Sequence, residues 1–286
     1  MIRSLPQSKT YALSFKIYII FYFTFLFAPL VVTCVLAFND SQFPSLPWNG
    51  FTFEWFTADK ANRVGIFNDQ INLRSIWTSA QTAFFVSILS TVVGTCAAFL
   101  FEQEDFRFKN LLYFLMLAPL VIPGVILGIS ILSSVNSLGI YFEDTFGLDI
   151  EMLRPGFWLV VMGQFAFIST FVSLVVSARL KKFDRTLEEA AYNLGANRFE
   201  VIWHITLKFL KPALISSGAV AFLMSFENFN TTLFLVGSDP TLPVNLYLQL
   251  RDGSTPVINS ISFLLIVGTS MLALINLTFS KPDKDQ

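Results

Sequence analysis

Long runs without charged residues alternate with short polar segments along the chain. A helix needs roughly 20 apolar residues to cross a bilayer core about 30 Å thick. Helices are expected in these runs because each unpaired backbone group in hydrocarbon costs several kcal/mol. Glu227 is the one charge inside them. The runs predict six membrane helices, at about 17–39, 76–101, 111–134, 157–178, 213–236 and 258–279.

The composition excludes several classes of protein. Of the 286 residues, 54% are hydrophobic and 14% are charged, whereas soluble domains have about 25% charged residues. The 33 Phe residues exclude a disordered or low-complexity chain, which would lack bulky apolar side chains. A net charge of −1 gives no reason to expect a nucleic-acid partner. We therefore expect an all-α membrane protein, with residues 1–286 forming a single transmembrane domain in lipid.

The basic residues favour one orientation, because Lys and Arg are enriched in cytoplasmic loops. Most of the 19 Lys and Arg residues share one side if the N-terminus is cytoplasmic. The positions on that side are Arg3, Lys9, Lys16, Arg107, Lys109, the basic residues between 179 and 211, Lys281 and Lys284. The first apolar run exceeds the roughly 7–15 residues of a signal-peptide core, so it is expected to remain as a helix. The sequence thus predicts a multi-pass protein with both termini in the cytoplasm.

Proline and small residues mark irregular places in two of the predicted helices. Pro123 followed by Gly124 and Gly128 predicts a kink or a close helix contact in the third helix. In the second helix, small residues indicate a tight seam with another helix. These small residues are Ser87, Ser90, Gly94, Ala97 and Ala98.

The segment 179–212 differs from its surroundings, because basic, acidic and apolar residues alternate there at helical spacing. Asp184 is placed to cap a first helix, and Gly195 is placed to end it in the left-handed conformation. Asn197 and Glu200 have the spacing of a capping box that begins a second helix. We therefore expect two short helices that meet at Gly195.

The first of these helices carries an apolar stripe at positions i, i+3, i+4 and i+7. The stripe consists of Leu187, Ala190, Ala191 and Leu194. Two surroundings fit such a stripe. It could lie in a groove of a partner protein, or it could rest on lipid headgroups as an interfacial amphipathic helix. These residues alone leave both possibilities open.

A longer pattern in this segment resembles the EAA motif of permease subunits of bacterial ABC importers. The pattern is Glu189-Ala190-Ala191, three residues, Gly195, nine residues, and Ile205-x-Leu207. In this chain the motif lies between the fourth and fifth of the six predicted helices, as in that family. The family usually has proline directly after the leucine, whereas this chain has Lys208 and its next proline is Pro212. The entry into the fifth helix therefore departs from the family pattern.

The resemblance implies a six-helix fold like that of type I ABC importer permeases, in the bacterial cytoplasmic (inner) membrane. It also implies that the loop 179–212 holds a coupling helix that inserts into a cleft of a separate ATPase. The residues implied for this coupling are Leu187, Glu188, Glu189, Ala190, Ala191, Leu194, Gly195, Ile205 and Leu207. The implied partners are an ATP-binding cassette ATPase dimer, a second permease subunit in a heterodimer, an external solute-binding protein and membrane lipid. This chain itself is expected to bind no cofactor, since the partner subunit uses the ATP.

A second resemblance concerns the solute. The string Ser225-Phe226-Glu227-Asn228-Phe229 and residues 233–261 resemble the C-terminal part of spermidine/putrescine-type permeases, in particular their second permease subunit. This resemblance implies that the solute is a polyamine or a related small cation.

Glu227 is the most informative residue for a solute path, because an acidic side chain at a helix centre costs about 2.5–3.5 kcal/mol. Its carboxylate could attract a cationic solute, with hydrogen-bonding groups supplied by its neighbours. These neighbours are Asn228, Asn230, Thr231 and Thr232. Alternatively, it could pair with a partner subunit or form a hydrogen bond inside the bundle. Trp158 and Gln164 in the fourth helix are lesser candidates for the pore, and they are expected mainly at the membrane interface and in packing.

Other functions remain to be weighed. The chain contains no Gly-x4-Gly-Lys-Ser/Thr motif, so we expect a transport subunit rather than an enzyme. An ion-gradient-driven secondary transporter would be expected to have repeated halves and several intramembrane charges. An intramembrane enzyme would need paired acids, a Ser–His pair or a metal site. The single His204 and the cysteines Cys34 and Cys96, both in apolar runs, predict neither a metal centre nor catalysis.

Overall fold

The computed structural model of this chain describes residues 9–60, 63–253 and 255–279 and is mostly helical. The elements in chain order are α1 (Lys9–Leu36), α2 (Glu54–Thr57), β1 (Asp59–Lys60), β2 (Arg63–Val64), α3 (Gln70–Gln103), α4 (Lys109–Val121), α5 (Gly124–Phe146), a 3₁₀ turn (Glu151–Leu153), α6 (Phe157–Leu180), α7 (Thr186–Asn193), α8 (Arg198–Val201), a π-helical turn (Ile202–Thr206), α9 (Leu207–Phe226), a second 3₁₀ turn (Thr232–Phe234), α10 (Leu242–Gly253) and α11 (Val257–Phe279). The strands form one short antiparallel hairpin.

Five helices among the described residues are long and apolar enough to cross a membrane. They are Thr10–Leu36, Gln70–Gln103, Gly124–Phe146, Phe157–Leu180 and Arg198–Phe226, while Lys109–Val121 and Val257–Met271 are shorter apolar helices. The membrane-helical character predicted from the apolar runs is therefore confirmed. Arg3, Lys281 and Lys284, on which the orientation of the termini partly rests, lie outside the described residues, so that orientation stays a prediction.

The predicted third helix, 111–134, is wrong as a single helix. The structure divides it into α4 and α5, with an extended residue, Ile122, between them. The reason is Pro123, which has no backbone N–H and disfavours helical geometry in the residue before it. The predicted irregularity at Pro123 and Gly124 is thus confirmed, as a complete break rather than a bend.

The predicted fifth helix, 213–236, is also wrong at both ends. The helical segment begins at Arg198, runs through the π-helical turn into α9, and ends at Phe226. Beyond this end, the Asn228 side chain accepts hydrogen bonds from the backbone N–H and the hydroxyl of Thr232. Such local bonds compete with helix continuation. Glu227 consequently lies just after a helix rather than within one.

The contacts divide the chain into two compact units, Met1–Gln70 with Leu248–Gln286, and Ile71–Tyr247. In the first unit, α1 packs along α11, and the Phe38 ring contacts Phe263 of α11 with centroids 5.1 Å apart. Arg63 links two residues of the segment after α1. Its guanidinium lies 4.4 Å from the Trp55 ring centroid and 2.7 Å from the Asp40 carboxylate.

The second unit is built around α6, which packs against both α9 and α4. This helix is apolar on all sides, as expected for a helix surrounded by others. Its buried side chains Ile168, Val172 and Val176 form the centre of the core together with Leu210 of α9. The predicted small-residue seam is confirmed at Gly94 of α3, where a methyl group would lie 2.7 Å from the carbonyl oxygen of Ser169 in α6.

Candidate functional site

The segment between α6 and α9 has the two-helix form that the sequence predicts. The first helix, α7, ends in a Schellman motif, in which the N–H of Gly195 bonds to the carbonyl of Tyr192 and that of Ala196 bonds to Ala191. Gly195 has φ of +89°, a left-handed conformation that a side chain would strain. Asn197 and Glu200 form the predicted capping box at the start of α8, with both reciprocal hydrogen bonds present.

Asp184 stabilises the start of α7. Its carboxylate accepts hydrogen bonds from the backbone N–H of Thr186 at 3.0 Å and from the Thr186 hydroxyl at 2.8 Å. These bonds favour the ionised form, and the Thr186 hydroxyl is the larger of the two causes that lower the pKa of Asp184. The predicted cap is wrong by one residue: Arg185 occupies the cap position of α7 without a side-chain cap bond, and Asp184, one residue earlier, bonds Thr186 at the start of the helix.

The apolar side chains of this segment are exposed rather than packed within the chain. Leu194 is 89% exposed and Leu187 is 51% exposed. On the following helical turn, Phe199 and Trp203 are also exposed, with their rings stacked 6.1 Å apart. We call these four residues, together with Ala190 and Ala191, the α7–α8 apolar face. A face of this kind needs a cover, either from another protein or from lipid.

Two motif positions lie away from that face. Ile205 is half-buried and packs against the core around α6, and Leu207 is half-buried at the start of α9. These residues therefore fix the helix that follows the motif. Glu189 is exposed on α7. The predicted contacts of the motif with an ATPase stay a prediction.

Basic residues tie this segment to the end of α3 and the turn that follows it. Arg185 donates to the carbonyl oxygen of Glu102 at 2.9 Å, and Arg198 pairs with the Glu104 carboxylate at 2.8 Å. Lys181 lies 3.4 Å from the Glu102 carboxylate. Sequence reasoning missed the role of Glu102 and Glu104. The only available signal was a small acidic group at the end of an apolar run on the same predicted side as the basic segment.

Glu188 points inward from α7. Its carboxylate accepts a hydrogen bond from the Thr206 hydroxyl at 2.6 Å, and Thr206 is completely buried in the π-helical turn. His204, in the same turn, is exposed, and its Nδ1 lies 3.2 Å from the Glu200 carbonyl oxygen. Sequence reasoning gave Thr206 no role, because nothing local indicates which side chain an α7 carboxylate will reach.

The proposed solute-path residues do not share one environment. Glu227 and Asn230 are exposed, whereas Thr231 is buried and Asn228 is half-buried, bonded to Thr232. The Glu227 carboxylate forms no hydrogen bond or ion pair with any residue that the structure describes. Only Glu227 and Asn230 are therefore free to meet a solute or a partner chain.

A buried polar network holds the 227–231 loop that carries these residues. Gln164 of α6, fully buried, donates to the Thr232 hydroxyl at 2.7 Å and accepts a hydrogen bond from Ser225. Both ends of the break after α9 are thereby fastened to α6. The expectation that Gln164 serves packing is refined by this network, since its amide group satisfies two buried hydroxyls.

The same loop contacts α5 through glycine. A methyl group at Gly128 would lie 2.6 Å from the carbonyl oxygen of Thr231, and one at Gly124 would lie 3.0 Å from the Asn230 Cβ. The loop backbone therefore approaches α5 more closely than any larger residue would permit. Trp158 is not part of this arrangement. It packs against Phe85 and Phe157 and is partly exposed.

Comparisons with known proteins agree with this geometry. Residues 90–280 match the family described as binding-protein-dependent transport system inner membrane component. The putrescine transport system permease protein PotI of Escherichia coli strain K12 is 29% identical over 255 residues, which cover 88% of this chain and 85% of the relative. The spermidine/putrescine transport system permease protein PotC of the same strain is 27% identical over 246 residues, covering 86% and 85%.

Solved structures share the fold. A chain of a bacterial ABC transporter that imports the acidic polysaccharide alginate superposes with a TM-score of 0.73 at 16% identity, covering 94% of this chain and 92% of that one. A chain of the MetNI methionine ABC transporter gives a TM-score of 0.54 at 14% identity, with 72% and 92% covered. The predicted type I ABC importer permease fold is confirmed.

Proposed function

Because this chain belongs to the family of binding-protein-dependent transport system inner membrane components, we propose that it is the permease subunit of an ATP-driven importer of polyamines or related small cations. In this proposal it forms the solute path with a second permease subunit, and an external binding protein delivers the solute. A separate ATPase dimer on the cytoplasmic side supplies the energy. The chain itself binds no cofactor.

The observation that carries the proposal is the α7–α8 apolar face. Leu194 stands almost fully exposed at the tip of a charged segment that is fastened to its own chain through Arg185 and Arg198. A helix that only rested on lipid would not need these fixed ties, whereas a helix that transmits force between two proteins does. ATP-driven closure of the ATPase would move α7, and the attached helices would open the path alternately to each side.

The polyamine assignment rests on the two relatives and on Glu227. Relatives named for putrescine and spermidine resemble this chain over most of its length. Glu227 supplies an exposed carboxylate next to the exposed amide of Asn230, and a protonated amine would pair with the first and bond to the second. Asn228 and Thr231, which face into the chain, would support the loop.

Uptake in vesicles that contain the complete transporter tests this function. We expect uptake of labelled putrescine that requires ATP. Uptake that survives ATP depletion with the ion gradient intact would instead favour a secondary transporter. Glu227→Gln is expected to raise the KM for putrescine, whereas Glu143→Gln, which removes an exposed carboxylate from α5, is expected to leave it unchanged. Equal KM values for both variants would remove Glu227 from the solute path.

For the coupling segment, cysteines placed at Ala190 and Ala191 are expected to crosslink to the ATPase subunit. Crosslinks to phospholipid alone would contradict the proposal. Gly195→Leu is expected to abolish ATP-coupled uptake without affecting membrane insertion, because φ at this position suits only glycine.

A further inference from the structure

The hydrogen bond between Glu188 and Thr206 joins two elements that are separate along the chain. Glu188 lies in the first turn of α7, and Thr206 is the last residue of the π-helical turn that leads into α9. The Thr206 hydroxyl is completely buried, and the Glu188 carboxylate is the acceptor that it reaches, at 2.6 Å. A bond to an ionised acceptor is shorter and stronger than a bond between neutral groups.

This bond differs from the other polar ties of the segment in where it leads. Arg185 before α7 and Arg198 at the start of α8 reach back to the end of α3 and the turn after it. Glu188 instead reaches forward, to the helical segment that runs from Arg198 to Phe226. At the far end of that segment lies the loop with Glu227. Glu188 therefore bonds α7 directly to the segment that leads to this loop, whereas the arginines tie the starts of α7 and α8 to α3.

The π-helical turn makes this point of contact mechanically distinct. Here the backbone N–H of Leu207 donates to the carbonyl oxygen of Ile202, five residues earlier, whereas in an α-helix it would donate to the carbonyl oxygen four residues earlier. Such turns are rare and are often found at functional sites, because they interrupt the regular helical bonding. Thr206 lies within this turn, and its hydroxyl donates to the Glu188 carboxylate of α7. The turn and α7 are therefore bonded directly to each other.

We propose that Glu188 is a positioning residue that transmits the movement of α7 to α9 through the Thr206 hydroxyl, and not a contact with the ATPase. The proposal rests on the proposed function, in which α7 is the element that an ATPase moves. Loss of the bond would uncouple the transporter. ATP would still be hydrolysed, but fewer solute molecules would cross the membrane for each ATP consumed.

The test measures ATP hydrolysis and putrescine uptake in the same vesicles containing the complete transporter. Thr206→Val removes the donor hydroxyl with little change in shape, and Glu188→Ala removes the acceptor. Each is expected to raise the ATP consumed per putrescine about tenfold, in line with the loss of one charge-assisted hydrogen bond. Thr206→Ser keeps the donor and is expected to stay within about twofold of the unmodified protein. Glu188→Gln keeps an uncharged acceptor, and its ratio is expected to lie between those of the unmodified protein and Glu188→Ala.

Thr170→Val is the matched control. Thr170 is a buried threonine of α6 that donates to the Met116 carbonyl oxygen at 2.8 Å, away from α7. Its loss should lower stability as much as the loss of Thr206 without changing the coupling ratio. Adding Thr206→Val to Glu188→Ala should give no further increase, because both substitutions remove the same bond.

Several results would overturn the proposal. An unchanged coupling ratio in Thr206→Val would show that the hydroxyl transmits nothing. Glu188→Gln with a ratio as high as Glu188→Ala would show that Glu188 acts through its charge, as a contact on the ATPase would. Loss of the ATPase from Thr206→Val transporters during purification would show that the bond supports docking rather than transmission. Failure of the proposed function itself is distinguishable, since the unmodified chain would then retain no ATPase.

Discussion

Truncation of Leu194 to alanine separates the chain's own stability from its affinity for a partner. The Leu194 side chain is 89% exposed, so it contributes almost nothing to packing within the chain. The substitution should change the free energy of unfolding by no more than about 0.5 kcal/mol, as is usual for exposed positions. If an ATPase cleft covers Leu194, the same substitution removes three buried carbons from the interface. At about 0.8 kcal/mol per buried carbon group, the interface loses about 2 kcal/mol.

A loss of about 2 kcal/mol corresponds to roughly a 30-fold increase in the Kd, since each 1.4 kcal/mol is a factor of ten. The measurement is the binding of the purified ATPase to the permease pair in lipid nanodiscs. Leu148→Ala is the matched control, because Leu148 is also exposed, at 55%, but lies in the segment after α5. Its Kd should not change.

Equal Kd values for Leu194→Ala and Leu148→Ala would refute the reasoning that the α7–α8 apolar face docks onto the ATPase. If Leu194→Ala leaves the Kd for the ATPase unchanged but weakens the partitioning of a peptide of the 179–212 segment into lipid vesicles, the face would instead be assigned to lipid headgroups.

Two further predictions concern the loop and the cap. Gly128→Ala should lower the free energy of unfolding by about 1–3 kcal/mol and reduce uptake, because the new methyl group meets the Thr231 carbonyl oxygen at 2.6 Å. Gly139→Ala is the control, since Gly139 lies on the same helix but its new methyl group would make only an ordinary van der Waals contact, and this variant should match the unmodified protein in thermal unfolding and uptake. Similar behaviour of the two variants would contradict the prediction. Asp184 has a lowered pKa in the folded protein, so its stabilising effect is present at neutral pH and is lost as the pH falls through the folded value. Hydrogen exchange in α7, corrected for intrinsic rates, should therefore accelerate below about pH 4, the ordinary range for Asp, and Asp184→Asn should remove this pH step.

The parts of the fold that depend on neighbouring residues could be predicted from the sequence. The apolar runs locate the spans, and Pro123 locates a break, because a missing N–H acts on the residues beside it. The turn at Gly195 and the box of Asn197 and Glu200 are likewise interactions within a few residues, as are the bonds of Asp184 to Thr186.

The break after Phe226 could not be predicted from hydropathy, because Glu227 is the one charged residue among those that follow and the run remains long enough for a span. Its cause is Asn228 bonding to Thr232, supported by Gln164 from another helix. The ties of Arg185 to Glu102 and of Arg198 to Glu104 join residues 83 and 94 positions apart. No local pattern specifies which of many carboxylates an arginine will meet.

The contact between Gly128 and Thr231 places a main-chain carbonyl directly against a helix that has no side chain there. Rotamer changes cannot open or close this contact, because neither partner contributes a side-chain torsion angle to it. Any rearrangement that widens the proposed solute route beside Glu227 must therefore move α5 and the 227–231 loop together, or separate them where only backbone atoms are in contact.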